Sequence, residues 1–245
     1  MKKIFTKNLY VISTTLIGLF SFTIVKAQIV YTSLRSGISL KCDKPNCSKT
    51  YSLDLNNDGT ADFNITVHTS ATTPERGIYI TPLNGDSVVV PAQVIFGPIS
   101  YNPSALVEGY VIGPALTWRN SAYPAPGNPP FMYLKGYNYV CHFDVELGCG
   151  YYYDFVGGWP DKGDRYLGLK IISNGHTYYG WARLSVSVTA SKWTTSCKIK
   201  DYAFENTPNA AITAGNAGTS AVTKSSPNNE PENHAHGVTW LKSKR

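Results

Sequence analysis

The chain has 245 residues, of which 42% are hydrophobic and 16% are charged, a composition typical of a folded protein rather than a disordered one. Its formal net charge is +6, but four of its 22 basic residues lie in the first 27 positions. Without them 18 basic residues face 16 acidic ones, so about +2 remains, which argues against nucleic-acid binding because that function needs clustered Lys and Arg.

Residues 1–27 have the features of a secretory signal peptide. A lysine-rich start precedes an apolar run from Leu9 to Val25, and Ala27 supplies a small residue at the cleavage position. Polar residues inside the run favour a cleaved leader over a membrane span. We therefore expect a secreted or cell-surface protein whose mature chain begins at Gln28 and contains no membrane span.

All cysteines lie at position 42 or later in the chain, and export allows them to oxidise. Cys42 and Cys47 are separated by turn-forming residues, which predicts a local disulfide. Cys141 and Cys149 would lie about 26 Å apart along one extended strand. Either that strand bends or each thiol pairs elsewhere, for example Cys149 with Cys197, and one of the five cysteines stays unpaired or forms a bond to another molecule.

Residues 54–62 have the ligand spacing of a calcium-binding loop. Oxygen-bearing groups recur at every second position around Gly59, and Ca²⁺ is bound by six to eight such oxygens. Position 12 of the pattern is Ile65 instead of glutamate, and the flanks are β-rich, so the loop is expected to join two strands. The alternative is a metal-free turn. The candidate Ca²⁺ ligands are Asp54, Asn56, Asp58, Thr60 and Asp62.

Short runs rich in Val, Ile, Tyr and Thr alternate with Gly, Pro and Asn turns along the rest of the chain, and no apolar helical period persists for three turns. This pattern predicts an all-β fold, a single β-sandwich or jelly roll over residues 28–215. Residues 216–245 are polar and predict a disordered tail.

One hairpin can be predicted with its register, because Asn174-Gly175 suits a tight two-residue turn. Ile171 then faces Tyr178, and one apolar face continues along both strands. The opposite face presents a set of aromatic and basic side chains that could stack on sugar rings or, alternatively, pack inside the protein. This candidate ligand-binding set is Tyr166, Tyr179, Trp181 and Arg183.

Two segments carry a family resemblance. Residues 178–184 read YYGWARL and residues 201–208 read DYAFENTP. Together with the residue 54–62 loop, they resemble uncharacterised secreted bacterial β-sandwich proteins that have a YGWxRL strand and a DxAxExTP segment, some of them with a Pro-Glu-Pro-type carboxy-terminal sorting tail. The resemblance implies export and a β-sandwich.

Three functions are compatible with these patterns. The first is a non-catalytic extracellular module, stabilised by calcium, with an adhesion or scaffold role and with a glycan or a surface protein as its partner. The second is a carbohydrate-binding domain that uses the aromatic face. The third is a glycan-active hydrolase based on Asp144 and Glu146, although two residues on one strand do not demonstrate converging carboxylates. No complete catalytic motif is present in the sequence, so enzymatic activity is not expected.

Overall fold

A computed structural model describes residues 28–91, 102–121, 132–144, 148–161, 163–190, 193–218 and 232–233. Of residues 140–144, 148, 149, 151, 152, 232 and 233 it describes the backbone alone. The predicted signal peptide lies outside the described residues. Within the described ranges every regular element is a strand, and no helix long and apolar enough to cross a membrane is found.

The strands follow one another in this order: β1 (Ile29–Cys42), β2 (Cys47–Leu53), β3 (Phe63–Thr69), β4 (Arg76–Pro82), β5 (Ser87–Val89), β6 (Val111–Ile112), β7 (Trp118–Arg119), β8 (Met132–Asp144), β9 (Gly148–Val156), β10 (Arg165–Ser173), β11 (His176–Val188), β12 (Thr195–Glu205), β13 (Ile212–Thr213) and β14 (Glu232–Asn233).

Two six-stranded antiparallel sheets form the architecture. Sheet A has the order β1-β12-β11-β10-β5-β7, and sheet B has the order β14-β2-β3-β4-β8-β9. The short strands β6 and β13 pair separately. Side chains that alternate along each strand bury one face of each sheet against the other sheet, and this gives a β-sandwich. The all-β prediction is confirmed.

The principal core lies between the two sheets. Leu167, Leu169 and Ile171 of β10 contribute to it from sheet A, and Ile65 and Ile80 contribute from sheet B, all at most 1% exposed. The three β10 residues are positions that the predicted hairpin placed on its apolar face. The pairing of Ile171 with Tyr178 is observed, and Asn174 and Gly175 have φ angles of 51° and 75°. The predicted register is therefore confirmed.

A second core covers the opposite face of sheet A. Chain segments that lead into and out of β6 and β13 cross this face and bury it. Leu106 exchanges backbone hydrogen bonds of 3.0 and 2.9 Å with Tyr166, and this attaches the covering segment to β10. The buried members of this core are Val89, Leu106, Ile112, Tyr166, Tyr179, Trp181, Ala203, Ile212 and Ala214.

The cysteines fall into three groups. Cys42 and Cys47 form a disulfide with Cα atoms 5.7 Å apart, which confirms that prediction. Cys197 is a buried free thiol in β12, so the pairing with Cys149 is not formed. Cys141 and Cys149 lie on the antiparallel neighbours β8 and β9, where the backbone of Cys141 lies opposite Tyr151 and that of Cys149 lies opposite Phe143.

Within the predicted disordered tail, Glu232–Asn233 forms the strand β14 on the edge strand β2. An edge strand offers unpaired backbone N–H and C=O groups, and an extended segment can bind to them without any sequence signal. Residues 219–231 and 234–245 lie outside the described part of the chain.

Candidate functional site

The candidate calcium loop joins β2 to β3, as its β-rich flanks predict. Asn57 and Gly59 turn the backbone with φ angles of 58° and 92°. The Asp54 carboxylate accepts hydrogen bonds from the backbone N–H groups of Asp58 at 3.1 Å and Gly59 at 2.8 Å. The loop is thereby curled around the side chain of its first predicted ligand.

The middle of the loop is held in the same way. Asp58 accepts a bond from the Thr60 N–H at 2.8 Å through one carboxylate oxygen and from the Asn56 amide at 2.9 Å through the other. The backbone bond lowers the pKa of Asp58 more than any other contact, with the Asn56 bond next. Asp58 and Thr60 are exposed, whereas Asp54 and Asn56 are half-buried.

Asp62, the last predicted ligand, is only 7% exposed. Its carboxylate accepts a 2.7 Å bond from the Leu55 N–H, which closes the loop onto its own start. Burial, followed by repulsion from the carboxylates of Asp86, Asp54 and Asp58, raises the pKa of Asp62 to about 7. A divalent cation beside these groups would offset the repulsion and favour the ionised form.

Asp86 belongs to the same acidic environment but was not among the predicted ligands. It is 1% exposed, and one oxygen accepts a 2.9 Å bond from the Ile172 N–H, while Oδ2 is buried without a partner. Burial raises its pKa to about 6. In the sequence, Asn84-Gly85 before it indicates only a turn, and sequence spacing cannot show that this turn folds beside the loop.

The loop contacts both sheets of the sandwich. Although it connects two strands of sheet B, Asn57 donates a 3.3 Å bond to Thr32 of β1 and accepts another of 3.3 Å from Tyr202 of β12. Leu55 is fully buried in the principal core. Its Cδ2 lies 2.9 Å from the position that a Cβ atom on Gly180 of β11 would occupy. The conformation of the loop is therefore coupled to the packing of the sheets.

The donor set fits a hard cation. Carboxylate, amide and carbonyl oxygens are the ligands that Ca²⁺ prefers, and the loop supplies all three kinds. Within the described ranges, no group of three or more His, Cys, Asp and Glu side chains is already arranged to hold a metal ion. Asp54, Asp58 and Asp62, with Asn56 and the Thr60 carbonyl, are the groups that would hold Ca²⁺, whose chemistry there would be charge neutralisation and cross-linking of the loop.

The predicted stacking surface is not exposed. Tyr166, Tyr179 and Trp181 are 6%, 4% and 1% exposed, because the second core covers them. Tyr166 and Trp181 meet edge to face with ring centroids 5.3 Å apart. These rings pack inside the protein, as the alternative interpretation of this set predicts. They are not available at the surface to stack on a sugar.

Arg183, the fourth member of that set, binds Asp201 instead of an aromatic ring. Its Nε donates a 2.9 Å bond to Asp201 Oδ1, and its Nη2 forms an ion pair with Oδ2. Asp164 lies 3.8 Å from Nη1 and 2.5 Å from Lys200 Nζ. The arginine of the YGWxRL segment and the aspartate of the DxAxExTP segment thus form one structural contact between β11 and β12.

Exposed aromatic rings occur elsewhere, on the β8–β9 hairpin. Tyr139 is 54% exposed and Phe155 is 45% exposed. Tyr137 and Tyr153 complete a row in which neighbouring ring centroids lie 5.2–6.0 Å apart. Lys135 Nζ lies 5.2 Å from the Phe155 ring centroid. Alternation along the two strands places these rings on one face, but the sequence does not show whether residues 142–147 continue one strand or separate two.

The third functional hypothesis concerns Asp144, the last residue of β8, and Glu146. The backbone of Asp144 lies opposite Gly148, and its side chain and all of Glu146 lie outside the described part of the chain. No protein-family model, curated protein or solved structure matches the chain significantly.

Proposed function

We propose that the protein is an exported, non-catalytic extracellular module in which a calcium ion bound by residues 54–62 stabilises the sandwich, with an adhesion or scaffold role. The supporting observation is the coupling of an oxygen-rich loop to both sheets through Asn57 and Leu55. A cation that binds the folded loop and not the unfolded chain stabilises the folded state by mass action. Calcium therefore acts on the whole domain through this loop.

The experiment is thermal unfolding of the mature protein in EDTA and in CaCl₂. We expect calcium to raise the melting temperature of the wild type and to have little effect on Asp58→Asn, which loses a ligand charge. Asp43→Asn is the matched control, because Asp43 is an exposed aspartate paired with Lys41 at 3.5 Å outside the loop. An equal calcium response in Asp58→Asn and Asp43→Asn would contradict the assignment.

Carbohydrate binding is the second candidate function, and the exposed rings of the β8–β9 hairpin favour it. Rigid aromatic faces on a sheet can stack on sugar rings, and Lys135 beside Phe155 can donate hydrogen bonds to hydroxyl groups. A glycan array is the first assay. We expect Phe155→Ala to lose glycan retention with an unchanged melting temperature. Retention of the same glycans by Phe155→Ala and Tyr139→Ala would exclude this surface.

A further inference from the structure

Glu205, the last residue of β12, is a fully buried carboxylate that lacks a counter-charge. Its Oε1 accepts hydrogen bonds from the backbone N–H groups of Gln28 at 2.9 Å and Thr207 at 2.8 Å. Its Oε2 is buried with no partner, and no described basic side chain forms an ion pair with it. A buried oxygen without a hydrogen bond is costly, so Oε2 calls for a further donor beside this carboxylate.

Gln28 is fixed beside this carboxylate by its backbone. Its carbonyl accepts a 2.9 Å bond from the Asn206 N–H, and Ile29 pairs with Glu205 at the start of β1. The nitrogen of Gln28 is therefore held against Glu205 by two neighbouring contacts and does not depend on a flexible side chain. The same nitrogen is the one that signal-peptide removal after Ala27 would release.

We propose that Glu205 is the receptor for the new amino terminus: cleavage of the Ala27–Gln28 bond creates an α-ammonium group on Gln28 that forms a partly buried ion pair with the Glu205 carboxylate. The inference rests on the export that the proposed function includes. In the cleavage, the Ala27–Gln28 C–N bond breaks, the water oxygen becomes part of the Ala27 carboxylate, and the two water protons are taken up by the Gln28 nitrogen, which is an ammonium group at neutral pH.

The charge change is large at this position. Before cleavage the Gln28 nitrogen is a neutral amide with one N–H to donate. After cleavage it carries a positive charge and three N–H donors, which allows charge-assisted bonds to Oε1 and to the unpartnered Oε2. Removal of the leader thereby completes the polar contacts at the joint between β1 and β12, the first and the last long strands of sheet A.

Cyclisation of the amino-terminal glutamine can show whether Glu205 holds the α-ammonium group of Gln28. A free amino-terminal glutamine can cyclise when its α-amine attacks the side-chain carboxamide carbon, a C–N bond forms and ammonia leaves, giving a neutral lactam. The attack requires the unprotonated amine. An ammonium group held by Glu205 is therefore expected to cyclise more slowly than the same group in Glu205→Gln.

The test compares two forms of the mature chain. One begins at Gln28, released from a fusion by a protease that leaves no extra residue, and the other carries Gly-Ser before Gln28. We expect the free form to melt about 5 °C higher, because only it can form the ion pair. In Glu205→Gln the difference between the two forms should disappear. In Glu108→Gln, a matched change at an exposed glutamate, it should persist.

Mass spectrometry of the free form over time provides the second readout, with faster loss of ammonia expected in Glu205→Gln than in Glu108→Gln. Equal melting temperatures of the free and extended wild-type proteins, or equal cyclisation rates in the two variants, would overturn the proposal. The first comparison needs only wild-type protein and remains decisive if Glu205→Gln folds poorly. Both are run in CaCl₂ and in EDTA, so a missing calcium response would count against the proposed function alone.

Discussion

Raising the pH should destabilise the metal-free protein. Burial and neighbouring carboxylates raise the pKa of Asp62 to about 7, whereas an unfolded aspartate titrates near about 3.9. Between these values the folded state holds a proton that the unfolded state has released, so the free energy of unfolding falls as the pH rises. About three pH units at about 1.4 kcal/mol each give a loss of about 4 kcal/mol.

Two other groups bear on the same pH range. Asp86, with its pKa raised by burial to about 6, changes stability in the same direction as Asp62. His68 works in the opposite direction, because burial lowers its pKa and the unfolded state then binds more protons. Asp62→Asn isolates the contribution of Asp62, since the amide cannot titrate.

The assay is urea unfolding, followed by tryptophan fluorescence, at about pH 4.5 and about pH 8 with EDTA present. We expect the wild type to lose several kcal/mol over this interval and Asp62→Asn to lose much less. Asp43→Asn should behave as the wild type. With CaCl₂ present the part of the loss that comes from Asp62 should vanish, because the ion binds the deprotonated carboxylate. A metal-free stability that is flat or rises with pH in the wild type would refute this account of the loop.

Three changes elsewhere test the packing. Trp181→Ala should cost about 3–5 kcal/mol in urea unfolding because the ring is 1% exposed, and a near-neutral effect would contradict its place in the second core. Replacement of Cys42 and Cys47 by serine should cost about 2 kcal/mol, since a short loop is released, and an unchanged urea midpoint would show that the disulfide contributes nothing. Arg183→Met should cost about 2 kcal/mol by removing the ion-pair partner of Asp201, and Arg183→Met with Asp201→Asn should recover part of it, which a double-mutant cycle measures.

Local chemistry explains what could be predicted from the sequence. The Asn174-Gly175 turn sets the register of its hairpin, because only two residues separate the strands and both must have positive φ angles. The Cys42–Cys47 disulfide follows from its turn residues in the same way. Each of these predictions depends on residues that are neighbours in the chain.

Contacts between distant segments could not be predicted in this way. Burial of Trp181 depends on Ile112 and Ile212, which lie in strands of two residues without a readable period. The approach of Asp86 to Asp62 depends on the pairing of β3 with β4, after which the Leu83 N–H donates to the Asp62 carbonyl and the Asp86 N–H donates to the Leu83 carbonyl. The sequence left open whether the chain bends between Cys141 and Cys149, because alternating residues on both sides read as one strand. Sequence spacing carries no information on which face another segment will cover.

Calcium titration of the EDTA-treated mature protein by isothermal calorimetry measures directly whether residues 54–62 bind the ion. We expect saturable binding at one site, which is lost in Asp58→Asn and kept in Asp43→Asn. Calcium at about 100 times its dissociation constant should add about 2.7 kcal/mol to the free energy of unfolding. Absence of binding heat, together with a melting temperature that is the same in EDTA and in CaCl₂, would contradict this expectation.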